Sequence, residues 1–349
     1  MPARATQAGR AAPRRGRATV FARAAVWLAG LATAAAVAGA DAPAAIAAVA
    51  TSPDAVKQVH RGTPHDALYD VAFEGARGVA VGAFGTVLAT TDGGATWVRQ
   101  LFPVGNLALL SVAVSGGKCL AVGQTGIVYT ADDCKTWKAS APVTKSRLLA
   151  VGVNKQGVAY AVGAFGTLLR SADWGKTWTP VTVDWTGYTE DGAEPHLYDV
   201  HVADDGSATV VGEFELILRS DAAGAQWKSL HKGERSLFGL TVVDDKRAYA
   251  VGQSGAVLAS SDGGATWRTL PTGTQAILTG VHATAQGQIT VSGINTVLAS
   301  KDDGANWKRV TSKFIGNGWQ QALAAAPAAG GKPRLLAVGS GGSILELEP

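Results

Sequence analysis

The sequence predicts an all-β fold, a seven-bladed β-propeller of four-stranded antiparallel blades. Three observations predict it. A Val-Gly step, written Ser-Gly in the sixth copy, recurs seven times, with its glycine at Gly82, Gly123, Gly163, Gly212, Gly252, Gly293 and Gly339. Six tryptophans, Trp97, Trp137, Trp178, Trp227, Trp267 and Trp307, close the repeats at spacings of 40, 41, 49, 40 and 40 residues. Glycine is abundant, at 44 of 349 residues, while charged residues make up only 17%. That balance suits short strands joined by tight turns, and a self-similar period of this length is that of propeller blades, with room for four strands each.

Every repeat reads in the same order. The innermost strand is an apolar run such as Leu68 to Phe73 or Leu237 to Val242. The second ends at Val-Gly. The third follows a two-residue turn, as in Thr86 to Thr90. A polar turn of the form Ser/Thr-x-Asp-x-Gly-x-Thr-Trp leads into the fourth, which begins at the Trp. Apolar and small residues alternate, as they do in sheets packed on both faces. The seventh repeat runs out at Pro349 without its closing turn. Val56 to Val59 precede the first repeat and are positioned to supply the missing strand, which would join the chain ends and leave no open edge.

In the closing turn an Asp carboxylate accepts N–H groups of its own loop. The Gly takes a positive φ, and the Trp covers the neighbouring blade. Asp92, Asp132, Asp173, Asp262 and Asp302 hold the acidic position. The fourth copy has Ala222 there, and the second has Cys134 at the Gly position. Repetition in blade after blade argues for architecture rather than for a row of catalytic or calcium-binding carboxylates.

The net charge of +4 belongs to the N-terminus. Residues 1–40 hold six arginines and no acid, and the rest has 25 basic against 27 acidic side chains. A nucleic-acid partner argued from overall charge therefore fails. The same residues read as an export signal: a basic stretch to Arg23, an Ala-rich apolar run to Ala40, and Ala38-Gly39-Ala40 before Asp41. Ala48-Val49-Ala50 is a second cleavage candidate, and an uncleaved membrane anchor is the alternative. The expected organisation is a signal over 1–40, a linker over 41–54 and the propeller over 55–349, in a periplasmic or similar exported compartment. Cys119 and Cys134 flank one hairpin. In an exported chain they form a disulfide, or else two buried free thiols. No histidine stands near them, and the sequence implies neither a metal site nor a cofactor.

The Asp-centred phrase resembles the BNR, or Asp-box, repeat of sialidases. The fuller phrase, as in Val81-Gly82-Ala83-Phe84-Gly85-Thr86-Val87-Leu88 leading to Asp92-Gly93-Gly94-Ala95-Thr96-Trp97, is similar to the photosystem II stability and assembly factor family over residues 55–347. That resemblance implies a non-catalytic scaffold, a monomeric propeller that binds a membrane-protein client, or a subunit of an envelope complex, on the exported side of the membrane. It also implies a basic surface patch. The nearest counterparts are Lys145, Arg147, Lys232 and Arg235 in the loops leading into the third and fifth blades, with His196 between them.

Two further sets of residues are candidates for recognition. The turns after the second strands gather on one face, and they place Phe84, Gln124, Phe165 and Gln253 at the channel mouth, where they would suit a peptide or a sugar unless each Phe packs on its own blade. The fourth repeat departs most from the others. Its leading loop is longer by about nine residues, as the 49-residue spacing shows, and carries Trp185 and Tyr188, while Glu213, Phe214 and Glu215 form its turn, Glu215 replacing the usual Gly. Long loops on a rigid scaffold carry function. A sialidase-like glycoside hydrolase is the rival reading. It needs an arginine cluster, a Tyr nucleophile with a Glu base, and an Asp, yet the inner strands hold no Arg. Tyr69-Asp70 and Tyr198-Asp199 occur as a repeated pair, which favours a structural role. A third reading is a periplasmic accessory protein of an envelope transporter. The chain is read as a non-enzyme.

Overall fold

The computed structural model describes residues 55–103, 105–327 and 333–348; the expected export signal, its cleavage sites and the linker to residue 54 lie outside the described residues. Seven four-stranded antiparallel sheets form the propeller, and the inner strand of each packs beside the inner strands of its two neighbours, closing a ring. Blade 1 comprises Leu68–Glu74, Arg77–Gly82, Val87–Thr90 and Val98–Arg99. Blades 2 to 6 repeat this order. Among the described residues no helix is long and apolar enough to cross a membrane.

Blade 7 takes Gln320–Ala326, Arg334–Gly339 and Ile344–Leu347 from the C-terminal end and Val56–His60 from the N-terminal end. Val56 pairs with Leu347 and Lys57 with Glu346 in antiparallel register. The expected clasp therefore closes the ring. Arg334 reinforces it: its guanidinium grips Glu346 at 2.6 and 2.7 Å and donates to the Gly93 carbonyl of blade 1 at 3.4 Å.

The seven Val-Gly glycines have a common cause. Where the backbone angle is known it is extended, with φ near −170° at Gly82, Gly123 and Gly252, so conformational freedom is not the reason. A Cβ at Gly82, Gly163 or Gly339 would land on the carbonyl oxygen of Ala67, Arg147 or Trp319, the residue leading into the same blade. That carbonyl instead accepts the N–H one residue beyond the glycine, as Ala67 does from Ala83 at 2.9 Å and Arg147 does from Ala164 at 3.0 Å. The close approach coincides with a bulge. In every blade the register slips at the second residue of the inner strand, at Tyr69, Leu110, Leu149, Tyr198, Phe238, Thr279 and Gln321. A bulge re-aims its side chain out of the ladder.

The core lies between blades. Val79, Val81 and Val87 of blade 1 pack on Leu109, Val112, Cys119 and Tyr129 of blade 2. Cys119 and Cys134 are joined in a disulfide within this layer.

The Asp-centred turns obey one hydrogen-bond scheme. Asp92 accepts from Thr96 N at 3.0 Å and from the Thr96 hydroxyl at 2.5 Å, while Thr90 Oγ1 donates to Asp92 at 2.7 Å and accepts from Gly94 N. Asp173 and Asp262 do the same in their blades, and Asp302 accepts instead from the N–H and the side-chain amide of Asn306. Two expectations are corrected. In blade 2 the carboxylate that accepts the turn's N–H groups is Asp133, from Lys135 at 2.8 Å and Thr136 at 2.7 Å, and not Asp132, which pairs with Lys118 at 2.7 Å. In blade 4 the turn is not without its acid: Asp221, one residue before Ala222, accepts from Ala225 and Gln226 at 2.8 and 3.3 Å. Aligning the copies on Trp hid both, because the turn of blade 2 is one residue shorter and that of blade 4 uses a different offset.

A candidate partner-binding face

The turns after the second strands and the loops leading into each blade share one face. In every blade the second residue of that turn lies in the left-handed region: Phe84, Thr125, Phe165, Phe214, Ser254, Asn295 and Gly341 have φ between 52° and 66°. The left-handed bend turns the side chain outward. Phe84 and Phe165 are 57% and 64% exposed, and Phe214 is exposed as well, so none of the three packs fully into its own blade.

In blades 2, 4, 5 and 7 the residue before it is a latch. Gln124 Oε1 accepts Ala108 N at 3.0 Å, Gln253 Oε1 accepts Ser236 N at 2.9 Å, Glu213 Oε2 accepts His196 N at 2.8 Å, and Ser340 Oγ accepts Trp319 N at 3.2 Å. The two glutamines expected at the channel mouth thus spend their acceptors on the backbone of their own blades.

Blades 3 to 5 assemble an aromatic row that no single repeat contains. Phe165 lies 4.9 Å from the His196 ring, His196 stacks at 6.2 Å on Tyr198, and Tyr198 meets Phe238 edge-on at 4.8 Å. Tyr198 and Phe238 are the bulged residues of adjacent inner strands, which is why they project here. Glu213 organises the row from below. Its carboxylate contacts His196 Nδ1 at 3.2 Å, and burial together with this carboxylate raises the phenol of Tyr198 beside it. A second aromatic pair, Tyr69 and Trp319, stacks at 5.8 Å where blades 7 and 1 meet.

The candidate basic patch divides. Lys145, Arg147 and Lys232 are exposed, and none makes an ion pair among the described residues. Arg235 is different. Its Nε donates to Glu215, which also meets His231 Nε2 at 3.2 Å and is itself buried. Glu215 occupies the turn position held by Gly85 and Gly255 elsewhere and keeps their left-handed angle, at φ 47°. Two basic partners offset that strain. Glu215 and Arg235, both expected to face a partner, thus hold each other.

The long loop leading into blade 4 is anchored rather than free. Trp185 is buried in the core of blades 3 and 4, against Gly166. Tyr188 donates its hydroxyl to the Trp227 carbonyl at 2.6 Å. Trp185 is thus a core residue, while Tyr188 stays half-buried.

The two inner-strand aspartates are pins between blades. Asp70 Oδ2 accepts from Ser111 Oγ at 2.7 Å and Val112 N at 2.9 Å, in blade 2. Asp199 Oδ2 accepts from Leu240 N of blade 5 at 2.8 Å. Burial pushes Asp70 up to about 6, against the hydrogen bonds from Ser111 and Val112. It pushes Asp199 up to about 7, with the charge of Asp70 adding to the rise. Among the described residues no group of three or more His, Cys, Asp or Glu is placed to hold a metal ion.

Residues 51–141, covering the clasp and the first two blades, match the family described as photosynthesis system II assembly factor YCF48. Over those residues the chain is similar to the repeat of that family. Two solved structures of YCF48 share its fold. One, described as YCF48 bound to D1 peptide, is 17% identical with a TM-score of 0.66, and the match covers 87% of this chain and all of that one. The other, YCF48 from Cyanidioschyzon merolae, is 18% identical with a TM-score of 0.65 and covers 84% and 99%. The WD40 β-propeller domain of Doa1 matches at 13% identity and a TM-score of 0.64, covering 84% and 95%. No curated protein sequence matches the chain. At these identities the structural likeness shows the fold, a seven-bladed propeller.

Proposed function

We propose that this propeller is a non-catalytic scaffold that holds an extended segment of a membrane-protein client on the exported side of a membrane. The observation that carries it is the row Phe165, His196, Tyr198 and Phe238, bordered by the unpaired cations Lys145, Arg147 and Lys232. Rigid aromatics offer contact area at little entropic cost, and exposed cations beside them select for acidic character and raise the association rate. The bound D1 peptide of a structurally similar YCF48 supports a peptide as occupant. The basic and apolar run of residues 1–40 supports export, and the chain acts as a single propeller.

One observation touches the hydrolase reading: Glu213 lies beside Tyr198, as a base would beside a nucleophile. The rest is missing. Asp199 is turned between blades onto Leu240, the nearby Arg235 is held by Glu215, and the phenol is raised, away from the phenolate.

The test is binding of fluorescent peptides that cover the exported segments of the host's membrane proteins. At least one should bind, tenfold or more weaker to Phe165→Ala/Phe238→Ala and to Lys145→Glu/Arg147→Glu/Lys232→Glu. If both variants bind every peptide as the parent does, the face is not the site and the reading fails.

A further inference from the structure

A cavity of about 260 Å³ lies on the same face but on the other side of the ring, at the seam where the chain ends meet. Its walls come from three places. The clasp contributes Gln58 and Arg61, the loop between blades 6 and 7 contributes Lys313, Phe314 and Asn317, and the turn of blade 7 contributes Ser340 and Ser343.

The wall chemistry is one-sided. Two cations line it and no carboxylate does. The adjacent Asp66 is occupied by Thr63 N at 2.7 Å. Neither Arg61 nor Lys313 has an ion-pair partner among the described residues, and the Gln58 and Asn317 amides have no side-chain hydrogen-bond partner there either. Lys313 sits 5.1 Å from the Phe314 ring centre, which holds its ammonium over an aromatic face. Ser340 and Ser343 add hydroxyls, that of Ser343 donating to the Ser340 carbonyl at 2.9 Å and left as an acceptor. Ser340 Oγ accepts Trp319 N and keeps its own proton free to donate.

Two cations select an anion, and Arg in particular takes a carboxylate through two parallel hydrogen bonds. Two amides and two hydroxyls around them match a ligand with several hydroxyl groups. The volume is slightly below the ~300–1,000 Å³ of drug-sized sites, which admits one small ring and not a chain. We propose that this pocket binds a small polyhydroxylated carboxylate of the size of a hexuronic acid, and that binding clamps the ring shut. The clamp follows from where the walls come from. The ligand touches both chain ends together, so it binds the closed propeller and not one whose clasp has detached, and mass action then favours closure. This inference is independent of the client face, which lies on blades 3 to 5.

The experiment uses D-glucuronate as probe, with D-glucose and acetate as controls, on the intact propeller and on Arg61→Gln/Lys313→Gln. Both substituted side chains are exposed, so the variant should fold. Calorimetry should show glucuronate binding at least tenfold more tightly than acetate or glucose, with the affinity lost by tenfold or more in the variant. Amide exchange at Val56–His60 should slow when glucuronate is bound. Glucuronate that fails to bind, or binds the variant equally, overturns the site. Acetate binding as tightly overturns the hydroxylated ligand, and glucose doing so overturns the carboxylate. Unchanged exchange at the clasp despite tight binding overturns the clamp.

Discussion

Asp199 of blade 4 accepts a hydrogen bond from Leu240 N of blade 5 at 2.8 Å, and its other oxygen accepts Val200 N at 2.8 Å. The carboxylate therefore satisfies two backbone donors, one across the seam between blades 4 and 5 and one in its own strand. Replacement by Ala orphans both, at about 1–3 kcal/mol for each buried group left unmade. Asp199→Ala should lose about 2 kcal/mol or more in urea unfolding at pH 7. A loss under 0.5 kcal/mol, on the order of an ordinary surface change, would show that water replaces the carboxylate and that the pin is dispensable.

The same residue makes stability depend on pH. Its folded pKa is about 7 and that of Asp70 is about 6, both above the ordinary carboxylate value of about 3.9. Between those values the folded state binds more protons than the unfolded one, so stability falls as pH rises. The contribution is complete below about pH 4 and is lost by about pH 7–8. His201 and His282 work in the opposite direction, because burial lowers both, so the comparison must be with a variant. Asp199→Asn should flatten the decline in stability between pH 5 and 8. Because Asp70 raises Asp199 by its charge, Asp70→Asn should also shift the remaining titration to lower pH. Parallel stability curves for parent and Asp199→Asn across that range would refute the assignment.

Glu215 and Arg235 offer a different test. Glu215→Gly restores the residue that the other turns use and removes the left-handed strain; Glu215→Ala keeps the strain. Both free Arg235. The Gly variant should therefore be more stable than the Ala variant by about 1–2 kcal/mol, the cost of a left-handed L-residue. In both, Arg235 joins Arg147 and Lys232 as an unpaired cation, and binding of acidic peptides should strengthen. Peptide affinity that drops instead would mean that Glu215 or its ordered arginine is part of the contact surface.

Cys119 and Cys134 close a loop with a sequence separation of 15. Loop-closure entropy for such a span is about 3 kcal/mol. Reduction, or Cys119→Ser/Cys134→Ser, should lower stability by about 2–4 kcal/mol in guanidinium unfolding, with blade 2 the first region to lose exchange protection. Equal stability with and without reductant would show that the bond is not formed in the folded protein.

The fold was legible because its repeat is enforced by sterics that act at one spot. A Cβ at Gly163 would strike the Arg147 carbonyl, so the glycine recurs wherever a blade begins. The Asp-centred turns were legible in kind but not in register: one residue deleted from blade 2 hands the capping role to Asp133, and no local signal marks the shift. The aromatic row was invisible for a third reason. His196, Tyr198 and Phe238 come from two blades, Tyr198 and Phe238 are aimed by bulges, and a bulge leaves no trace in an alternating pattern. Glu215 announced itself as an exception to the glycine rule, but its partner Arg235 lies 20 residues away and only the folded turn brings them together.

The clasp makes the last prediction. Val56–His60 covers the outer edge of Ile344–Leu347, and Val56 is buried in the layer formed with Val297, Leu335 and Leu347. Removing residues through His60 would strip several ladder hydrogen bonds, each worth about 0.5–1.5 kcal/mol net, and expose a buried valine worth about 1.5–3 kcal/mol. The shortened chain should lose about 3–5 kcal/mol and present an unpaired edge, which invites pairing with a second molecule. A lower melting temperature together with concentration-dependent association by light scattering is expected. Adding back a synthetic peptide of residues 55–61 should restore the monomer, because the edge of Ile344–Leu347 then has its partner again. A truncated protein as stable and as monomeric as the parent would mean that three strands suffice for blade 7 and that closure does not depend on the N-terminal strand.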